Sequence, residues 1–195
     1  MASKTMNSKT REIFTTRQRC IGILRIMFGF AWTVAAVLKW QPAFINGFAD
    51  TVKSTMEGQP HLVQVWIGFW LMIINVNPTL FAILEATAET LLALCFLSGL
   101  FTNAACVIGI FLSLGVWSVA EGFGGPYIAG QSTDIGTAFP YAILCGLLLC
   151  VNAGHYYGLD YLLASRWKRQ PSSESVSEIV QKEKIPSLIG ERKRR

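Results

Sequence analysis

Two glutamates, Glu85 and Glu89, interrupt an otherwise apolar run of helix formers, LFAILEATAETLLALCFL, at residues 80–97. Four residues is about one helical turn, so the two carboxyls project from one face of a helix. A carboxylate at the centre of a membrane helix costs at least about 2.5–3.5 kcal/mol on insertion scales, so each requires a cation, a proton or water. The chemistry open to such groups is proton transfer. At 1.5 Å per residue, Glu89 lies about 12 Å and Glu85 about 18 Å from the end of this run, and Arg25 lies about 6–9 Å inside the first apolar segment. This arithmetic predicts an Arg25–Glu89 pair, with Glu85 near mid-bilayer, without a cation at its depth and protonated. Lys39 closes the first apolar segment at the other end, from where its side chain can snorkel into water. Arg25, Glu85 and Glu89 are therefore the candidate catalytic residues of a proton path. They also read as architecture, an ion pair that specifies the bundle and a protonated hydrogen-bonding partner, and both readings stay open.

The remaining reactive residues point elsewhere. Cys20, Cys95, Cys106, Cys145 and Cys150 include no C-x-x-C pair, so no metal centre is expected and the thiols read as small hydrophobes. His61 and His155 are expected on opposite sides of the membrane, which excludes them as a pair of axial haem ligands. No glycine-rich nucleotide loop follows a strand, and two rim histidines offer no Ser–His–Asp arrangement.

The elements that must hold the glutamates are membrane helices. The chain is 52% apolar and 15% charged, with a mean hydropathy of +0.41, where soluble domains carry about 25% charged residues. Of seventeen Lys and Arg, five lie in residues 1–20 and nine after Gly154. Basic flanks around apolar helices are orientation signals, so no nucleic-acid partner is expected.

Residues 1–20 form a basic lead-in. Residues 21–38 form a first span, too long for a signal peptide and without an A-x-A cleavage site. Residues 62–74 are apolar but too few to cross, which predicts a re-entrant or interfacial helix. Its Trp66, Phe69 and Trp70 form an aromatic ridge that packs on the bundle or faces a ring-shaped ligand. Residues 80–97 form the second span and Gly99 its C-terminal stop. Residues 104–120 form an uncharged third span, with Gly109 and Gly115 permitting close helix contact. A Gly-rich connection, EGFGGPYIAGQSTDIGT, offers Thr133 or Asp134 as cap for a fourth span over residues 135–151. Four spans place both basic ends on one side, the cytoplasm. The expected fold is thus all-α, an integral membrane antiparallel four-helix bundle with one short helix between spans one and two. The membrane domain is residues 21–165, and residues 166–195 form a basic tail, disordered or lying on anionic lipid.

Several stretches together resemble the DoxX/DoxD family, in particular its DoxD-like branch. They are Arg25–Gly29, Glu89-Thr90-Leu91-Leu92-Ala93-Leu94 running into Ser98-Gly99-Leu100-Phe101-Thr102, and the loop from Gly125-Pro126-Tyr127 through Gly130 and Thr133–Thr137 to Tyr141. Gly154-His155-Tyr156-Tyr157-Gly158-Leu159-Asp160 resembles the family's closing motif. Asn103 and His155 depart from it, standing where members often carry a basic residue and Arg. The resemblance implies a quinone-linked membrane subunit similar to the larger subunit of thiosulfate:quinone oxidoreductase, working with a DoxA-like partner. Trp32, Asp134 and Tyr141 are then the candidate quinone contacts, although Asp134 with Tyr127 and Tyr141 also reads as a helix cap beside interfacial tyrosines. The alternatives are a non-enzymatic scaffold for a redox complex, or proton or solute transport, the last weakened by the lack of an internal repeat.

Overall fold

The computed structural model describes the backbone of residues 2–128 and 134–155 and the side chains of residues 16–128 and 134–154. The described residues belong to one compact unit, Met1–Asp160. They form six α-helices and no strand: α1 (Ala2–Lys39), α2 (Pro42–Ser54), α3 (His61–Ile74), α4 (Pro78–Ser98), α5 (Thr102–Val119) and α6 (Ala138–Cys150). Short 3-10 turns follow at Gly122–Gly124 and Ala153–His155. The expected basic tail, most of the closing motif and the candidate cap Thr133 lie outside the described residues.

Among the described residues, three helices are long and apolar enough to cross a membrane: α1 over Thr16–Lys39, α4 and α5. Their outer faces are apolar as well as their inner ones, as for helices solvated by lipid. On α1, Ile23, Met27, Phe30, Val34 and Val37 are exposed, whereas Arg25, Phe28, Trp32 and Ala36 are buried. α1 is also continuous with the basic lead-in, back to Ala2.

The expected fourth span is shorter than its apolar stretch. Only Ala138–Cys150 is helical, thirteen residues and so about 20 Å, the length class of α3. The chain cannot wind earlier because Gly136 has φ 96° and Trp117 Nε1 donates to the Ile135 carbonyl at 2.7 Å. Among the described residues three helices have the length of a crossing, and α6 is a shorter apolar helix.

Local chemistry explains the ends of α4. Pro78 occupies its first turn, and the Asn77 side chain accepts from the Leu80 N–H at 3.1 Å. Gly99 stops it in the left-handed conformation, φ 66°. α3 matches the short helix expected at residues 62–74. α2 was not foreseen. Phe44, Phe48 and Val52, four apart, turn inward, while Asn46, Asp50 and Lys53 stay exposed.

Two apolar clusters hold these helices. One joins α1, α4, α5 and α6 through Phe28, Trp32, Leu92, Phe96, Cys106, Cys145 and Leu148. The other joins α2, α3 and α4 through Phe48, Val52, Ile67, Ile74 and Ala82. Gly109 is where α5 and α6 meet: a Cβ there would stand 2.7 Å from Cys145 Sγ. Gly115, expected in a similar role, has no neighbour within 4 Å of such a Cβ. It sits beside a cavity instead.

Candidate functional site

α1 and α4 run antiparallel, and the inner face of each carries the charged residues. Arg25, Trp32 and Lys39 follow one another at seven-residue intervals, so all three lie on the α1 face that meets α4. Opposite them, Glu85, Glu89, Leu92 and Phe96 share one face of α4. At the end of α1, Lys39 Nζ donates to Glu85 Oε1 and lies 3.2 Å from Glu89 Oε1. The ammonium also stands 5.0 Å from the centroid of the Phe44 ring. These three side chains are 18%, 11% and 6% exposed, so this is a buried cluster rather than a surface ion pair. The adjacent Trp40 anchors the turn after α1 by donating its Nε1–H to Thr90 Oγ1 at 3.0 Å.

The cluster corrects the expected pairing in three respects. Glu89 meets Lys39 rather than Arg25. Glu85 has a cation at its own level. Lys39 turns inward instead of reaching for water. The cause is the offset between α1 and α4. Arg25 packs at the far end of α4, where a Cβ on Gly99 would stand 2.6 Å from its Nη1, and it donates to the Ala153 carbonyl at 3.4 Å. Glu89 is ten residues earlier on α4, about 15 Å along the axis. Depth counted from the first apolar residue misplaced Arg25, because α1 runs well past the point where α4 ends.

Two cavities flank the cluster. The larger, about 510 Å³, lies between α2, α3, α4 and α5 and is lined by Phe48, Trp66, Trp70, Phe81, Phe111 and, as its single charged residue, Glu85. Of the expected aromatic ridge, Trp66 and Trp70 face this cavity, whereas Phe69 is half exposed beside Trp70, ring centroids 5.9 Å apart. The smaller, about 320 Å³, is the more polar of the two, although most of its wall is apolar, and lies on the other side of Lys39. Trp32, Lys39, Glu89, Ser113, Glu121 and Tyr141 line it. Three polar atoms of these buried residues, Trp32 Nε1, Glu89 Oε2 and Ser113 Oγ, have no hydrogen-bond partner among the described residues. In the larger cavity, Trp70 Nε1 is in the same condition. Leu112, Val116 and Ala120 are common to both linings, so the cluster and this strip of α5 separate an aromatic space from a polar one.

Of the three candidate quinone contacts, two come together. The Trp32 and Tyr141 rings meet edge to face, centroids 5.1 Å apart, with Phe28 against both. Asp134 stands apart in an exposed cleft of the connecting loop, where its Oδ1 accepts from the Ile135 N–H at 2.6 Å. It does not cap α6. That role falls to Glu121, whose carboxylate accepts from the Thr137 hydroxyl and, at 3.1 and 3.2 Å, from the Ala138 N–H. Tyr127 donates to the Phe123 carbonyl at 2.6 Å within the loop.

Sequence reasoning missed Lys39, Ser113 and Glu121 as site residues. The interval of fourteen between Arg25 and Lys39, two helical repeats of seven, was a legible signal that both face inward. Ser113 and Glu121 carry no such signal, because the cavity that makes them matter is built by α1 and α6. Cys106 and Cys145 lie in the core, and no group of three or more His, Cys, Asp or Glu among the described residues is arranged to hold a metal.

Chemically, one ammonium and two carboxyls form a buried group of the kind that can exchange protons, with an aromatic space on one side and a more polar one on the other. Compared with protein-family models, curated proteins and solved structures, the chain matches none.

Proposed function

We propose that the chain is a membrane subunit of a quinone-linked oxidoreductase of the DoxX/DoxD type, passing electrons from a reduced sulfur donor, thiosulfate, to quinone. The observation that carries this reading is the position of Glu85, ion-paired to Lys39 beside Glu89, on the wall of a large aromatic cavity. A quinone ring is flat and apolar with carbonyl acceptors at its edge. The Trp70 ring shares this lining with Glu85, and its indole N–H, buried and without a partner among the described residues, is a donor that a turn of the ring would offer to such an edge. Reduction of a quinone to its hydroquinone consumes two electrons and two protons. In this reading the electrons come from the donor site of a DoxA-like partner subunit, and the protons pass through Glu85 and Glu89. Lys39 balances one of the two carboxylates, and a proton balances the other. Trp32 and Tyr141 then serve the polar side of the cluster rather than the ring itself. The proposed setting is the cell membrane, with α6 completing a four-helix bundle and both termini in the cytoplasm.

The test is thiosulfate-dependent quinone reduction in membranes containing the wild type, Glu85→Gln or Trp70→Phe. Loss of a positioned proton donor lowers kcat about 10²–10⁴-fold. We expect that loss in Glu85→Gln and a raised KM for quinone in Trp70→Phe. Unchanged rates in both, at equal protein levels, refute the reading.

The second reading is a non-enzymatic scaffold for a redox complex, favoured by the unbroken helix that carries the basic lead-in away from the span. It requires complex activity to survive neutralisation of Glu85 and Glu89 and to fail when residues 2–15 are deleted.

A further inference from the structure

At its loop end the polar cavity adjoins a second space. Glu121 and Thr137 line it and also line a cleft of about 410 Å³ formed with Gly124, Gly125, Pro126 and Asp134 in the connecting loop. Of the residues lining the cleft, Asp134 and Thr137 are exposed. At the other end, Phe28, Phe96, Leu92, Leu148 and Ala153 fill the space toward Arg25 as close-packed core. Between these ends stand Trp32 Nε1, Ser113 Oγ and Glu89 Oε2, all on residues 2–4% exposed and all unpartnered among the described residues. A cavity of about 320 Å³ whose wall carries Lys39, Glu89, Glu121 and Tyr141, with unpartnered polar atoms buried behind that wall, is a setting in which ordered water makes its hydrogen bonds.

We propose that the polar cavity is a hydrated proton inlet, leading from the loop cleft past Glu121 and Thr137 to the Lys39–Glu89 pair. The charged groups around it are Lys39 from α1, Glu85 and Glu89 from α4, and Glu121 after α5, with the Tyr141 hydroxyl from α6. One ammonium against three carboxyls attracts protons and cations and repels anions. A dianion such as thiosulfate is therefore excluded from this space, and its oxidation takes place away from it. The inlet rests on the quinone reading only for the destination of the protons; its water access is a property of this chain alone.

That access is measured without any enzyme assay. The full chain, carrying Ser113→Cys and lacking Cys20, Cys95 and Cys150, is reconstituted in liposomes with a cationic methanethiosulfonate reagent on both sides. Cys106 and Cys145 remain as core thiols that report on packing. The inlet requires Ser113→Cys to react at least tenfold faster than Cys106 and Cys145, and faster with the cationic reagent than with an anionic one of equal size. Adding Thr137→Trp, which fills the shared wall, must slow the reaction at least tenfold. If that variant makes Cys106 reactive, its packing has failed, and Ala138→Leu on the same lining takes its place. A Ser113→Cys thiol as slow as the core thiols overturns the inlet. So does a rate unchanged by either filling variant, because water would then arrive by another way. A negative result here leaves the quinone assay standing, and loss of quinone reduction in Glu85→Gln leaves the labelling standing.

Discussion

Replacing Lys39 with methionine removes one charge and little volume from the centre of the site. The side chains of Lys39, Glu85 and Glu89 are each less than one-fifth exposed, which puts the cluster in the buried regime. Removing one partner of a buried ion pair costs about 3–5 kcal/mol, chiefly because the opposite charge stays behind unpaired. Here one carboxylate stays behind unpaired beside a protonated carboxyl, so Lys39→Met is expected to destabilise by about that amount. At about 1.4 kcal/mol per tenfold, this is a shift of roughly 10²–10⁴ in the folding equilibrium. The assay is reversible denaturant unfolding in mixed micelles, run as a cycle with Glu85→Gln, Glu89→Gln and the triple variant. With all three groups neutral no charge remains unpaired, so the triple variant should recover most of the loss. A Lys39→Met loss below about 1 kcal/mol, the range of a surface pair, would refute the reasoning. So would failure of the neutral glutamines to restore stability.

Two further outcomes test the frame around the cluster. Gly109→Ala gains about 1 kcal/mol of helix propensity but drives a methyl against Cys145 Sγ, an overpacking that costs about 1–3 kcal/mol. The net should be destabilising in the wild type and stabilising in a Cys145→Ala background, and the same unfolding assay reads the change of sign. Glu121→Ala removes the acceptor for the Thr137 hydroxyl and the Ala138 N–H. By analogy with a lost cap it should weaken the start of α6 by about 0.5–2 kcal/mol, seen as faster amide hydrogen exchange over residues 138–141 with α1 unaffected.

Much of the architecture was legible because it is written in local terms. Composition and apolar runs located the helices that became α1, α3, α4 and α5. Gly99 marked the end of α4, and the spacing of Glu85 and Glu89 placed both on one face. α2 was readable from Phe44, Phe48 and Val52, yet its polar residues concealed it within a region taken as a connection. The start of the helix expected at residues 135–151 shifts to Ala138, because Gly136 and the Trp117 bond hold the chain out of the helix at Ile135.

By itself the sequence determined that two carboxyls would share one face of an apolar helix and would need a cation, a proton or water, since charge in hydrocarbon demands compensation whatever the topology. Which cation answers was decided only by the tertiary structure. Both Arg25 and Lys39 lie on the inner face of α1, and the offset of α1 against α4 selects between them. That offset is set by packing, with Leu97 against Gly29 and the Arg25 guanidinium against Gly99, and not by where the apolar residues begin. The two cavities belong to the same level. Their walls come from helices distant in sequence, so Ser113 and Glu121 acquire a role only once α1, α4, α5 and α6 have closed around them.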